Sequence, residues 1–164
     1  MLNLQKAHHI VENELKNMEI PGDPKNLYDP VRYILSNGGK RIRPIIVLLT
    51  ANMFTDEISN AIKPALGLEI FHNFTLLHDD LMDESNVRRG NKTVHIKWDP
   101  NIAILSGDVM SIIAGQLISE SKAEKSVEML RVFNKTAIEV CEGQMMDMDF
   151  EERSDVSIEE YLEM

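Results

Sequence analysis

Asp79, Asp80 and Asp83 stand together at the end of an apolar stretch within FHNFTLLHDDLMDESNVRRG, residues 71–90. On a helix, positions i and i+4 share a face, so Asp79 and Asp83 point the same way. Like charges there repel, and a helix C-terminus disfavours anions. Local stability therefore does not account for them, whereas a bound cation does. Paired carboxylates suit Mg²⁺, which takes a few carboxylate oxygens and completes its shell with water and phosphate. Taken alone, a DDxxD reads more simply as a solvated acidic helix end, because short acidic clusters are common.

The surroundings of the aspartates favour the metal. Arg88 and Arg89 follow in the next loop, before Gly90. Upstream, Gly38-Gly39-Lys40-Arg41-Ile42-Arg43-Pro44 is a second basic cluster, a glycine-flexed turn leading into a helix. Such a turn favours phosphate oxygens, because arginine forks match phosphate and lysine adds a compact charge. His72 lies two helical turns before Asp79, on a stripe with Leu76, Asp79 and Asp83. His78 faces elsewhere and reads as structural.

The chain as a whole carries a formal net charge of −10, which speaks against nucleic acid held by bulk attraction. Positive charge is instead concentrated at two places, one beside the aspartates. With 43% hydrophobic and 27% charged residues the composition is that of a folded globular chain. The single cysteine, Cys141, excludes an intrachain disulfide and reads as a small buried apolar residue. No signal peptide is visible, and no uncharged apolar run reaches the roughly 18 residues of a membrane span. A cytoplasmic location follows as the simplest expectation.

The elements that must position these groups are helical. Residues 2–19 place Leu4, Ala7, Ile10, Val11, Leu15 and Met18 at spacings of three and four, which predicts an amphipathic helix. After the break at Pro21-Gly22-Asp23-Pro24, residues 27–36 predict a short helix ended by Asn37-Gly38-Gly39. The next starts near Pro44, a residue tolerated in a first turn. It runs through IIVLLTANMF, apolar almost all round and so expected to be buried. A long helix is predicted over 59–83, with Ser59 as N-cap, then a polar loop over 84–93. Asp99-Pro100 opens a helix to about 120, and residues 123–150 predict another. Ser157 can cap a last one. No alternating run of four or more residues reads as a strand, and no linker divides residues 1–164. The fold class is all-α.

Taken together, GGKRIRP at 38–44, HDDLMDESNVRRG at 78–90, LSGDVM at 105–110 and EGQMMDMDFE at 142–151 resemble the trans-isoprenyl diphosphate synthases, or polyprenyl synthetase family. The resemblance implies long antiparallel helices around a central cavity, the isoprenoid synthase fold, and a homodimer. It implies a Mg²⁺-dependent prenyltransferase that condenses an allylic diphosphate with isopentenyl diphosphate. By the same resemblance Asp79 and Asp83 hold the metal and Asp80 supports them. Arg88 contacts the allylic diphosphate, while Lys40, Arg43, His72 and Arg89 hold isopentenyl diphosphate. Gln144 and Asp147 match a GQxxD segment facing the cavity, although Met145, Met146 and Met148 around them read more simply as core. Phe74, five residues before Asp79 and about 7.5 Å below it on the helix, is where the family sets chain length. A bulky residue there implies a short product, C15 or C20.

Family members carry a second aspartate-rich motif on a later helix, which is absent here. The chain stops within a helix at Tyr161-Leu162-Glu163-Met164. The expectation is a truncated, N-terminal half of one domain, with little or no synthase activity by itself. Two other readings stay open. One is a non-catalytic family member that binds and regulates a partner synthase. The other, weaker, is a terpene cyclase, in which GGKRIRP would have no purpose.

Overall fold

The computed structural model describes residues 2–121 and 124–164. Among them the elements are α1 (Leu4–Asn17), α2 (Lys25–Ser36), α3 (Ile42–Asn52), α4 (Ser59–Met82), β1 (Val87–Arg88), β2 (Asn91–Lys92), α5 (Val94–Lys97), α6 (Pro100–Ser119), α7 (Ser126–Glu151) and α8 (Ile158–Glu163). Contacts gather into two units, one up to Ser126 and one from Val127.

In the first unit, the predicted apolar stripe of α1 is buried at Ala7, Val11 and Leu15, whereas Leu4 is exposed and Met18 lies just past the helix end. Asn3 caps the helix by accepting from the Lys6 N–H at 2.9 Å. Ala7, Val11 and Leu15 are buried with Ile45 and Leu48 of α3 and Ala65 and Leu66 of α4. Burying a side chain of this size is worth roughly 1.5–3 kcal/mol, so this cluster is the main anchor of α1.

The closest helix pair is α4 with α6, which run antiparallel. Lys63 Nζ meets Glu120 Oε2 at 2.9 Å at one end, and His78 Nε2 lies 3.2 Å from the Ile104 carbonyl at the other. Small residues allow this approach: Gly107 of α6 lies against His78, and Gly67 of α4 against the Ala114 carbonyl. A methyl group on Gly107 would collide with the His78 ring. His78 is thus a packing residue, as its position predicts. Asp99 caps α6 by accepting from the Asn101 N–H at 2.8 Å. With Asp108 as its one charged residue, α6 is long and apolar enough to cross a bilayer by length and composition; here its small-residue face packs on α4.

Three local expectations are corrected. Ser59 does not cap α4 with its hydroxyl. Its own N–H donates to Glu57 Oε1 at 3.0 Å, and hydrogen bonds from Ser59 hold the Glu57 carboxyl below the usual range. The α3 helix is buried on one side only, where Pro44, Ile45 and Leu48 meet α1 and α4. Ile46 and Phe54 are 56% and 85% exposed. The 84–93 loop contains a hairpin pairing Val87 with Lys92 and Arg88 with Asn91. Its turn residues, Arg89 and Gly90, have φ of 52° and 79°. Two left-handed residues in succession are what a type I′ hairpin turn needs. Two-residue strands are too short for an alternation rule to detect.

In the second unit, Ser157 caps α8 as predicted. Its hydroxyl accepts from the Glu160 N–H at 3.2 Å, and Glu160 Oε2 accepts from the Ser157 N–H at 2.9 Å. These bonds, with Arg153, pull the Glu160 carboxyl down to about 2. The helix expected from Ala123 begins at Ser126, and Ala123 itself lies outside the described residues. No residue of α7 is buried. Cys141, Met145 and Met148 are exposed, contrary to the expected core positions. Within this unit only a six-residue α8 stands beside a 26-residue helix, too little surface to cover it.

Candidate functional site

The apolar course of α4 ends in the aspartates because the chain turns there. The Asp83 N–H donates to the Asp79 carbonyl at 2.8 Å, and the Ser85 N–H to the Asp80 carbonyl at 2.9 Å. Asp80 is 4% exposed, whereas Asp83 is exposed and Asp79 half-buried. The three carboxylates therefore divide. Asp80 is turned inward and accepts from Arg88 Nε at 2.8 Å. Burial pushes its carboxyl up and Arg88 pulls against that. Asp79 is also raised, first by desolvation and then by the negative charges of Asp83 and Asp80.

The hairpin that carries Arg88 is pinned to this helix end. Thr93 Oγ1 donates to the Ser85 carbonyl at 2.7 Å, and the Thr93 N–H to the Asn86 carbonyl at 3.1 Å. Tyr33 of α2 adds a bond from its hydroxyl to the Lys92 carbonyl at 2.8 Å. At the hairpin tip Arg89 reaches the other basic segment, where Nη1 donates to the Gly38 carbonyl. Its guanidinium lies over Gly39, where an added Cβ would sit 2.8 Å from Nη1. Gly39 is thus required by this close approach as well as by its φ of 154°.

The basic turn itself is divided, as the aspartates are. Lys40 and Arg43 are exposed, but Arg41 is 3% exposed. Its guanidinium binds Glu12 Oε1, Glu69 Oε1 and the Leu35 carbonyl at 2.7–2.8 Å. Arg41 is therefore not among the outward charges of the basic cluster: Glu69, in the middle of α4, draws it inside. Arg43 Nη1 lies 3.2 Å from His72 Nε2. Arginine can only donate, so this nitrogen accepts and the ring proton sits on Nδ1. Desolvation and the Arg43 charge both lower the His72 pKa, which keeps the ring neutral near pH 7.

All three non-glycine residues with left-handed φ among the described ones lie in these two loops: Arg41, Glu84 and Arg89. Such conformations cost on the order of 1–2 kcal/mol each and persist where the surroundings over-determine them. The turn and the hairpin are therefore built to one shape.

Lys40, Arg43, His72, Arg88 and Arg89 thus belong to segments tied together beside Asp79 and Asp83. Phe74 lies on the same helix, half-buried, its ring 4.7 Å from His78 and 5.3 Å from Phe71. Gln144 and Asp147 stand on α7 in the second unit, Gln144 half-buried and Asp147 exposed. Among the described residues, no three His, Cys, Asp or Glu side chains form a ready metal cage. The donor set nonetheless fits Mg²⁺, which needs only one or two carboxylates, and a cation would relieve the repulsion that raises Asp79. Pattern reading missed Glu12, Glu69 and Asn73. The signal was present: Glu69 is a lone acid in the apolar run of α4, and such a residue is rarely buried without a partner.

Comparison with known proteins covers almost the whole chain. The polyprenyl synthetase family model matches residues 24–164. A geranylgeranyl pyrophosphate synthase of Geoglobus acetivorans is 43% identical, over 94% of this chain and 49% of its own length. A geranylfarnesyl diphosphate synthase of Natronomonas pharaonis is 39% identical, over 94% of this chain and 51% of its own. A crystal structure of a geranylgeranyl pyrophosphate synthase superposes with a TM-score of 0.95 at 48% identity, over 99% of this chain and 50% of that one. The fold is the isoprenoid synthase fold, and the chain spans about half the length of the curated relatives it matches.

Proposed function

This chain belongs to the polyprenyl synthetase family, and on that premise we propose that it binds the two substrates of a Mg²⁺-dependent prenyl transfer: an allylic diphosphate and isopentenyl diphosphate. The observation that carries the reading is one juxtaposition. On a chain of net charge −10, the Arg43–His72 pair and the Arg89–Gly38 bond gather basic groups beside the Asp79 and Asp83 carboxylates. Basic groups ordered at one place on an acidic chain suit an anionic ligand.

In this reading Asp79 and Asp83 hold Mg²⁺, and Asp80 supports them by fixing Arg88. Arg88 presents its remaining donors to the allylic diphosphate. Lys40, Arg43, His72 and Arg89 hold isopentenyl diphosphate. The metal supplies charge stabilisation for the departing diphosphate. The allylic C–O bond breaks with its electron pair on the diphosphate, and the isopentenyl double bond forms the new C–C bond. A proton is then lost to the released diphosphate. Residues 1–164 form part of one synthase domain, working in the cytoplasm as a homodimer. Because the chain spans about half the length of its relatives, turnover by these residues alone is expected near background.

Titration calorimetry of the 164-residue chain tests the reading. Isopentenyl diphosphate should bind without metal, and an allylic diphosphate only with Mg²⁺. Failure of both to bind would reject the assignment. Binding of both to a natural assembly that never turns over would favour a non-catalytic subunit instead. Phe74 supports a short product, C15 or C20. In any assembly that does turn over, Phe74→Ala should lengthen it, and unchanged products would remove Phe74 from that role.

A further inference from the structure

Arg41 and Arg43 are the same residue type two positions apart, yet only Arg43 reaches solvent. Resting on the function proposed above, we propose that Arg41 and Glu69 are positioning residues for isopentenyl diphosphate: their buried pair fixes where Lys40, Arg43 and His72 stand. Each nitrogen of the Arg41 guanidinium goes to a different helix. Nε binds Glu12 of α1 at 2.7 Å, Nη1 binds Glu69 of α4 at 2.8 Å, and Nη2 binds the Leu35 carbonyl near the end of α2 at 2.8 Å. Glu69 is itself oriented, since Asn73 Nδ2 donates to its carbonyl at 2.8 Å and to Oε1 at 3.2 Å. His72 stands three residues after Glu69 on the same helix, and Lys40 flanks Arg41 directly. The Arg41 backbone, with φ of 51°, is a left-handed corner that an unanchored arginine rarely keeps. The fork therefore sets the corner from which Lys40 and Arg43 project and ties it to the helix that carries His72. A lysine gathers its three donors at one nitrogen and does not reproduce the planar fork whose separated nitrogens reach Glu12, Glu69 and Leu35.

The test uses the 164-residue chain, with calorimetry against isopentenyl diphosphate alone and an allylic diphosphate with Mg²⁺. Arg41→Lys should weaken isopentenyl diphosphate binding about tenfold, the effect typical of groups that orient direct ligands, and leave the allylic affinity essentially unchanged. The double variant Arg41→Met/Glu69→Met replaces the buried pair with apolar groups and should regain stability without regaining binding. If it melts like wild type and binds isopentenyl diphosphate like wild type, the pair is merely structural and the proposal is overturned. An equal loss of both affinities overturns it too. Glu12→Gln, at a half-exposed partner, serves if Arg41→Lys does not fold, and should show a smaller loss in the same direction. Amide exchange at residues 38–43 separates this proposal from the function itself. Were the wild type to bind neither diphosphate, the function would fail, and unchanged exchange in Arg41→Lys would then overturn the positioning role independently.

Discussion

The turn at 38–44 and the helix end at 79–83 each concentrate one sign of charge, but they reach stability by different routes. At the turn, the buried Arg41 is answered within the chain by Glu12, Glu69 and the Leu35 carbonyl, and only Lys40 and Arg43 are left outward. At the helix end, Asp80 is answered by Arg88, while among the described residues Asp79 and Asp83 have no cation at ion-pair distance. The first region is completed by folding. The second is left with repulsion that a bound cation would relieve. A rigid basic cradle beside an electrostatically unfinished acidic edge is the arrangement expected where a metal arrives with its anionic ligand.

The largest effect should come from breaking the finished region. Arg41→Met leaves Glu69 charged and unpaired in the interior, a loss of roughly 3–5 kcal/mol. Urea unfolding should show it, with most of the loss recovered in Arg41→Met/Glu69→Met. A single variant as stable as wild type would mean that the turn is not held by its buried fork. Next comes the unfinished region, where Asp79→Ala should lower the Mg²⁺-dependent affinity for an allylic diphosphate by about 10²-fold, within the range for loss of a preorganised electrostatic contact. Calorimetry should find isopentenyl diphosphate binding untouched by that change.

A smaller effect separates stability from function at the same residue. The Asp79 carboxyl is raised in the folded chain, so the native state holds a proton that the unfolded state has already released. Stability is then lost as pH rises from the usual 3.8 through the raised value. Asp79→Asn should therefore melt above wild type at neutral pH without metal, and the advantage should vanish at pH below 3.8. Mg²⁺ should raise the wild-type melting temperature more than that of the variant. The smallest effect concerns His72. Its folded pKa is depressed, so its stabilising contribution is present above the ordinary 6.5 and is lost as pH falls through the lowered value. Wild type should lose melting temperature relative to His72→Gln across that window, and parallel curves would show that His72 is not held neutral by Arg43 and burial.

Much of the local structure was legible in the chain. The three-and-four spacing of Ala7, Val11 and Leu15, the caps at Asp99 and Ser157, and the glycine corner at 38–39 are decided within a few residues, by helix period, side-chain oxygens and steric freedom. The aspartates and the two arginine-bearing loops could be named for the same reason, because their chemistry is intrinsic to residue type. Less legible were the exposure of Ile46 on α3, of Phe54 just after it, and of Cys141, Met145 and Met148 on α7. Hydrophobicity states what a residue would gain by burial; it does not state whether a neighbouring surface is there to bury it.

The sequence by itself determined an all-helical chain with an acidic edge and two basic loops, since each of these depends on residue identity and near neighbours. Tertiary structure alone decided which charges stay available. Two arginines two positions apart have opposite fates because a carboxylate 28 residues away from Arg41 reaches only the first of them. Two aspartates side by side likewise part company because Arg88 folds back eight positions to claim Asp80. Charge pairing at such separations depends on where helices pack, and the one-dimensional pattern does not encode that distance.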